Sequence, residues 1–186
     1  MNAPGLVSLV VLDRDGVINR DSREYVKTAD EWLPLPGSIE AIARLSRAGF
    51  TVAVASNQSG LARGLFDEAA LGAMHAKLDA LVSEAGGAIG KIAWCPHGPD
   101  DGCDCRKPRP GLLQRLARHY GISLERVPVI GDSLRDLEAA LAVGARPILV
   151  RTGNGAMAET RLPETFGTVE VYDDLSAAAD VLIGER

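Results

Sequence analysis

At 186 residues and 19.6 kDa, with 46% apolar and 24% charged side chains, the chain has the balance of one globular domain around one core. That composition excludes a disordered or fibrous polypeptide. The formal charge of −5 and a pI of about 5.2 disfavour nucleic acid as a partner, because a phosphate backbone needs a basic face.

The opening residues MNAPGLVSLVVLD carry no basic leader, and their apolar run is too short for a signal peptide or a membrane span. The expectation is a cytoplasmic protein with no membrane partner, organised as one domain over residues 1–186. The first strand is expected over residues 6–13, an apolar run that stops on Asp13-Arg-Asp15. Two carboxylates two residues apart repel each other and lose hydration when a strand end is recessed. A bound Mg²⁺ resolves that conflict, being a hard cation that takes carboxylate and carbonyl oxygens together with substrate phosphate.

An irregular stretch runs to Gly37, with Trp32 and Leu33 as its expected anchors. A helix follows with Ser38 as N-cap, Ile39, Ile42 and Leu45 at helical spacing, and Gly49 as its stop. Residues 50–56 read as a β-branched strand ending on Ser56. A helix begins at Asp67 and runs to about Glu84, with Leu71, Met74, Leu78, Leu81 and Val82 on one face. A strand is expected at 89–95, and a helix from Pro110 as first helical residue to Tyr120. A strand at 127–132, a helix from Leu134, strands at 146–153 and near 168–172, and a helix at 175–183 complete the pattern. His75 and His119 fall on helices with no partner in view and read as ordinary histidines.

Strands alternating with helices specify an α/β fold, Rossmann-like and doubly wound, with a parallel sheet covered on both faces. In such sheets ligands sit beyond the carboxyl ends of the strands. Asp13, Ser56 and Asp132 each stand at such an end, so three segments converge on one rim. That rim holds the parts of a phosphoryl-transfer site. Asp13 can be a nucleophile, Asp15 a general acid, Ser56 a hydroxyl donor, Lys107 a positive charge and Asp132 a second metal carboxylate.

All three cysteines lie within eleven residues, as Cys95, Cys103 and Cys105, with His97 among them. An odd count so tightly bunched argues against a disulfide framework. The spacing C-x-H-x5-C-x-C supplies two ligand pairs, and GPDDG can fold them onto one ion. Three thiolates and an imidazole match a closed tetrahedral Zn²⁺ site, structural because no position is left for substrate. Arg106 and Lys107 directly follow Cys105, so this knot fixes where they stand.

The succession DRDG, SNQSG, CRKP and VIGDS-x-x-D resembles the haloacid dehalogenase superfamily of aspartate-nucleophile phosphatases. SNQSGLARGLF together with CPH…CDCRKPRPG is similar to its heptose-bisphosphate phosphatase branch, and the resemblance spans about residues 8–155. It implies a fold of that type with no large cap domain. It also implies that Asp13 attacks the 7-phosphate of D-glycero-D-manno-heptose 1,7-bisphosphate, forming an aspartyl-phosphate, while Asp15 exchanges protons with the leaving oxygen and then with water. Mg²⁺ would be held by the Asp13 carboxylate, the Asp15 carbonyl and Asp132, with Asp136 outside them. Ser56 and Lys107 would grip the phosphoryl group. Asp21, Ser22, Arg23, Glu24, Asn57, Gln58, Ser59 and Arg106 would line the sugar side. The implied setting is ADP-heptose and lipopolysaccharide-core biosynthesis, with the β anomer as substrate and a monomeric enzyme.

Two positions depart from the branch. Ser56 stands where Thr is common, which keeps the hydroxyl, and Ser133 stands where Lys is common, which removes an amine. Histidinol-phosphate phosphatases share DRDG, the Cys/His loop and CRKP, and are the alternative. A neutral Ser59 with Arg63 and Arg106 nearby suits an anionic bisphosphate better than a cationic amine. A nucleic-acid 3′-phosphatase fits the acidic charge poorly. A catalytically silent zinc-stabilised binding module has no need of Asp13, Asp15, Lys107 and Asp132 together.

Overall fold

The computed structural model describes residues 8–186, so positions 1–7, including the first two of the expected opening strand, lie outside the described residues. Strand β1 is Ser8–Leu12, followed by α1 (Ser38–Arg47), β2 (Phe50–Asn57), α2 (Glu68–Glu84) and β3 (Ile92–Cys95). The chain continues through α3 (Gly111–Tyr120), β4 (Pro128–Gly131), α4 (Leu134–Leu141), β5 (Arg146–Val150) and α5 (Gly155–Glu159). It closes with β6 (Glu170–Tyr172) and α6 (Leu175–Gly184). The six strands form one sheet in the order β3-β2-β1-β4-β5-β6, and every pairing is parallel. This is a haloacid dehalogenase-type α/β fold, and no large cap domain interrupts it among the described residues.

The run LVVL has no polar alternation because both of its faces are buried. Val10 and Leu12 pack with α1, α2 and α6, whereas Leu9 and Val11 pack with α3 and α4 on the other side. Truncating such a side chain, as in Leu12→Ala, costs roughly 2–5 kcal/mol. No described helix is long and apolar enough to cross a membrane.

Sequence and structure differ locally for identifiable reasons. Ser38 is not an N-cap. Gly37 takes that position in the left-handed region at φ 75°, and buried Ser38 instead donates its hydroxyl to Ile18 O (2.7 Å) and Leu35 O (2.9 Å). It thereby ties the irregular segment to the start of α1. Pro110 sits just before α3, which begins at Gly111, where the amide bonds Asp104 O at 3.1 Å. Trp32 is fully buried, but Leu33 points outward at 48% exposure and anchors nothing. Strand β3 starts at Ile92 rather than residue 89, and β5 ends at Val150 rather than residue 153, where Arg151, Thr152 and Gly153 turn away. The five-residue helix α5 carries no long periodic pattern and was not expected.

Candidate active site

The strand order reverses beside β1, since the chain builds β2 and β3 on one side and β4 to β6 on the other. A parallel sheet opens a crevice at such a switch point. Asp13 follows β1, with its amide still donating to Ile130 O at 2.9 Å, and Asp132 follows β4. Between them lies a cleft of about 220 Å³, lined by Asp13, Asp15, Asn57, Lys107, Asp132 and Asp136 among others.

Lys107 organises the floor. Its ammonium has three protons and three acceptors: Asp13 Oδ1 at 2.9 Å, Asp136 Oδ1 at 2.5 Å and Ala55 O at 2.7 Å. Its backbone is held by Asn57, which accepts from the Lys107 amide (3.0 Å) and donates back to the Lys107 carbonyl (3.1 Å). Burial alone would depress a lysine, but the two carboxylates prevail and hold Lys107 firmly protonated. Asp13 Oδ1 also accepts from the Arg14 amide at 2.7 Å, leaving Oδ2 without a hydrogen-bond partner.

Carboxylate oxygens of Asp13, Asp132 and Asp136 lie within 4.8 Å of one another. One ammonium cannot balance three carboxylates. Burial first, and then the neighbouring acids, push Asp13 well above the usual carboxylate range despite Lys107. Burial and Asp136 raise Asp132 to about 6. A divalent cation supplies the missing charge, so these residues fit Mg²⁺. Space for the Asp132 carboxylate comes from two glycines in the left-handed region, Gly16 and Gly153. A Cβ on either would fall 2.1 or 2.2 Å from Asp132 Oδ2. Asn154 donates to that same oxygen from its backbone (2.8 Å) and its side chain (3.2 Å).

Asp15 is treated differently. Burial pushes its carboxyl up, but Arg14, Asn19 and Gln58 overcome that penalty and hold it below the usual range. The buried Arg14 guanidinium bonds both oxygens at 2.9–3.3 Å, while Asn19 Nδ2 and Gln58 Nε2 each donate at 2.8 Å. Gln58 also donates to Ser56 Oγ at 2.6 Å, leaving the proton of that buried hydroxyl free to be given away. Gln58, expected on the sugar side, lines the cleft and spends its amide nitrogen on Asp15 and Ser56.

Asp21, Ser22, Asn57, Gln58, Ser59 and Arg106 line the cleft. Arg23 lines an adjoining groove, while Glu24 and Arg63 stand outside the cleft. The Arg63 guanidinium lies 5.9 Å over the ring of Tyr25, which is itself a cleft residue. Arg14, Asn19, Asn154 and Arg135 were not foreseen as site residues. Arg14 lies inside DRDG and Arg135 inside VIGDS-x-x-D, so motif position is a signal for these two; Asn19 and Asn154 carry none.

The Cys/His loop leaves β3 at the same rim, because Asn57 and Cys95 are register partners. Donor separations are 3.5 Å (Cys95 Sγ to His97 Nδ1), 3.7 Å (Cys95 to Cys103), 3.3 Å (His97 Nδ1 to Cys105) and 3.1 Å (Cys95 to Cys105). Four donors at the corners of a tetrahedron with ~2.3 Å metal–sulfur bonds lie ~3.5–3.8 Å apart, so the cluster can hold a metal ion. Without a cation, burial and the neighbouring thiol of Cys105 push Cys95 up to about 12; a bound metal reverses that preference for the thiol.

Residues 8–134 match the polynucleotide kinase 3 phosphatase family model, and residues 104–178 match the HAD-hydrolase-like model. The chain is 60% identical to D-glycero-beta-D-manno-heptose-1,7-bisphosphate 7-phosphatase of Pseudomonas aeruginosa over 95% of this chain and 98% of that protein. It is 38% identical to the protein of that name from Escherichia coli, over 79% and 81% respectively. The crystal structure of D,D-heptose 1,7-bisphosphate phosphatase from Bordetella bronchiseptica, complexed with magnesium and phosphate, matches with a TM-score of 0.93. Identity there is 52% over 97% of this chain and all of that one.

Proposed function

We propose the function from family membership: the chain belongs to the D-glycero-beta-D-manno-heptose-1,7-bisphosphate 7-phosphatases of the HAD-like hydrolases, and it removes the 7-phosphate from that bisphosphate. The observation that carries the chemistry is Lys107 bridging Asp13 and Asp136 at the β1/β4 crevice. Mg²⁺, held by the Asp13 carboxylate, the Asp15 carbonyl and Asp132 with Asp136 behind them, would neutralise charge on the phosphoryl oxygens.

Asp13 attacks phosphorus, the bond from phosphorus to the C7 oxygen breaks, and Asp15 gives that oxygen a proton. Water then attacks the aspartyl-phosphate, Asp15 takes its proton, and inorganic phosphate leaves with Asp13 restored. Arg14, Asn19 and Gln58 favour the ionised Asp15 that the first half leaves behind and the second half requires. The positive charge of Lys107, its protons held by Asp13, Asp136 and Ala55, and the free Ser56 proton offset the charge that gathers on the equatorial oxygens in phosphoryl transfer. The Cys/His cluster takes Zn²⁺ in a structural role. We read residues 1–186 as one cytoplasmic phosphatase domain, monomeric, acting in ADP-heptose supply for the lipopolysaccharide core.

Phosphorus NMR of the product tests the reaction. The anomeric phosphate is expected to survive, and a surviving 7-phosphate would contradict the assignment. Faster turnover of histidinol phosphate, or of a 3′-phosphorylated oligonucleotide, would replace it with one of the two other readings.

A further inference from the structure

One wall of the cleft is made by Asp21, Ser22, Tyr25 and Val26. They belong to a single excursion of the chain between β1 and α1, and its two ends are tied together. The Arg20 amide donates to Leu33 O and the Leu35 amide to Ile18 O, each at 2.9 Å. Beyond that stem, residues 21–26 make two polar contacts outside the excursion among the described residues. Asn154 Nδ2 donates to Asp21 at 3.2 Å, and the Arg63 guanidinium lies over the Tyr25 ring. The returning half, residues 28–32, is one helical turn closed by the Trp32 amide on Thr28 O at 3.1 Å, with the Trp32 side chain fully buried. A turn that stops there leaves its carbonyls without amides to accept from. Lys77, half-buried on α2, meets two of them, donating to Ala29 O at 2.7 Å and to Trp32 O at 2.9 Å. Three positions earlier on α2, Met74 Sδ lies 4.0 Å from Arg14 Nη1, and Arg14 holds Asp15. Helix α2 thus supports both this wall and the carboxylate beside it.

We propose that Lys77 is a positioning residue for the heptose. It lies outside the cleft, fixes residues 21–26 against the sugar through the turn at 28–32, and sets selectivity without touching substrate. This rests on the heptose bisphosphate reading above and deepens it. An ammonium suits the task because charge-assisted hydrogen bonds are roughly twice as strong as neutral ones, and lysines commonly satisfy the last carbonyls of a helical turn. A wall displaced by about 1 Å is enough to spoil the fit of a substrate, even when the change lies far from the reacting atoms.

The test measures kcat/KM for the heptose 1,7-bisphosphate and for acetyl phosphate in wild type, Lys77→Met, Lys77→Ala and Lys77→Arg, alongside melting curves. Acetyl phosphate carries the same reacting group on a leaving group too short to reach residues 21–26. Lys77→Met keeps an apolar stem beside Trp32 and loses only the donors. Its kcat/KM for the bisphosphate should fall roughly 10–100-fold, mainly through KM, with acetyl phosphate unmoved. Lys77→Ala should show the same split, and Lys77→Arg, which again offers donors, should recover part of the loss. Equal losses on both substrates, whether from unfolding or from damage at the phosphoryl centre, would overturn the positioning role. So would an unchanged bisphosphate value in Lys77→Met and Lys77→Ala, and either result leaves the 7-phosphatase reading intact. A wild type that hydrolyses acetyl phosphate but not the heptose bisphosphate would overturn the parent reading, and this one with it.

Discussion

Asp13 and Asp15 are two residues apart in sequence, yet their surroundings drive them in opposite directions. Asp13 faces other acids with a single ammonium in compensation, and burial raises it. Asp15 faces only donors, and they lower it. Without a cation that split runs opposite to the needs of a nucleophile and a general acid, and the positive charge Mg²⁺ would supply beside Asp13 is what returns it to the ionised form. Asp13→Asn keeps an oxygen for Lys107 but cannot carry the phosphoryl group as an acyl phosphate. Turnover should therefore drop by more than the ~10²–10⁴ of an acid–base defect. Thermal stability without added Mg²⁺ should hold or rise, because a buried charge and its repulsion with Asp132 and Asp136 are removed. Activity assays and a melting curve check both outcomes; near-normal activity would sink the nucleophile assignment.

At the scale of elements, the Cys/His loop connects the sheet to Lys107. Cys95 ends β3 beside Asn57, and Cys105 is buried against α3 two residues before Lys107. The four donors thus sit between a strand that cannot move and the lysine that must not. Metal analysis should find about one zinc per chain. Cys103→Ser should lower both the metal content and the melting temperature, since binding free energy at such sites is folding free energy. Turnover should fall as well, because Arg106 and Lys107 lose their anchor. Fully active, carefully purified protein without zinc would refute the site.

For the whole molecule, the order β3-β2-β1-β4-β5-β6 brings the segments after β1, β2, β4 and β5 to one rim, with β6 as support on the far flank. Arg146 braces that far flank, bonding Glu170 on β6 and Glu185 beyond α6. The large apolar side chains left exposed, Leu33, Leu65, Leu141, Met157 and Val181, lie on five separate segments and do not form a docking face of one element. Sedimentation should accordingly give the 19.6 kDa monomer at micromolar concentration. A stable dimer mass would contradict that expectation.

What the sequence determined alone is local and one-dimensional. Buried parallel strands read as unbroken apolar runs, carboxylates at strand ends mark a rim, and C-x-H-x5-C-x-C is a metal spacing wherever it folds. The order of elements, the paired Asp13 and Asp132, the place of Lys107 at the rim and the Cys/His cluster were legible for that reason. Tertiary structure alone decided which side chains are free. Arg14 and Gln58 are spent on Asp15, Asn57 on the Lys107 backbone and Asn154 on Asp132, whereas Arg135 lines the cleft and pairs with no carboxylate among the described residues. A hydrogen bond between residues more than a hundred positions apart, such as Thr152 Oγ1 to Gly16 O, leaves no periodic trace in the chain. Such partners are chosen by where the sheet brings the strand ends, and that follows from burial of the whole core at once.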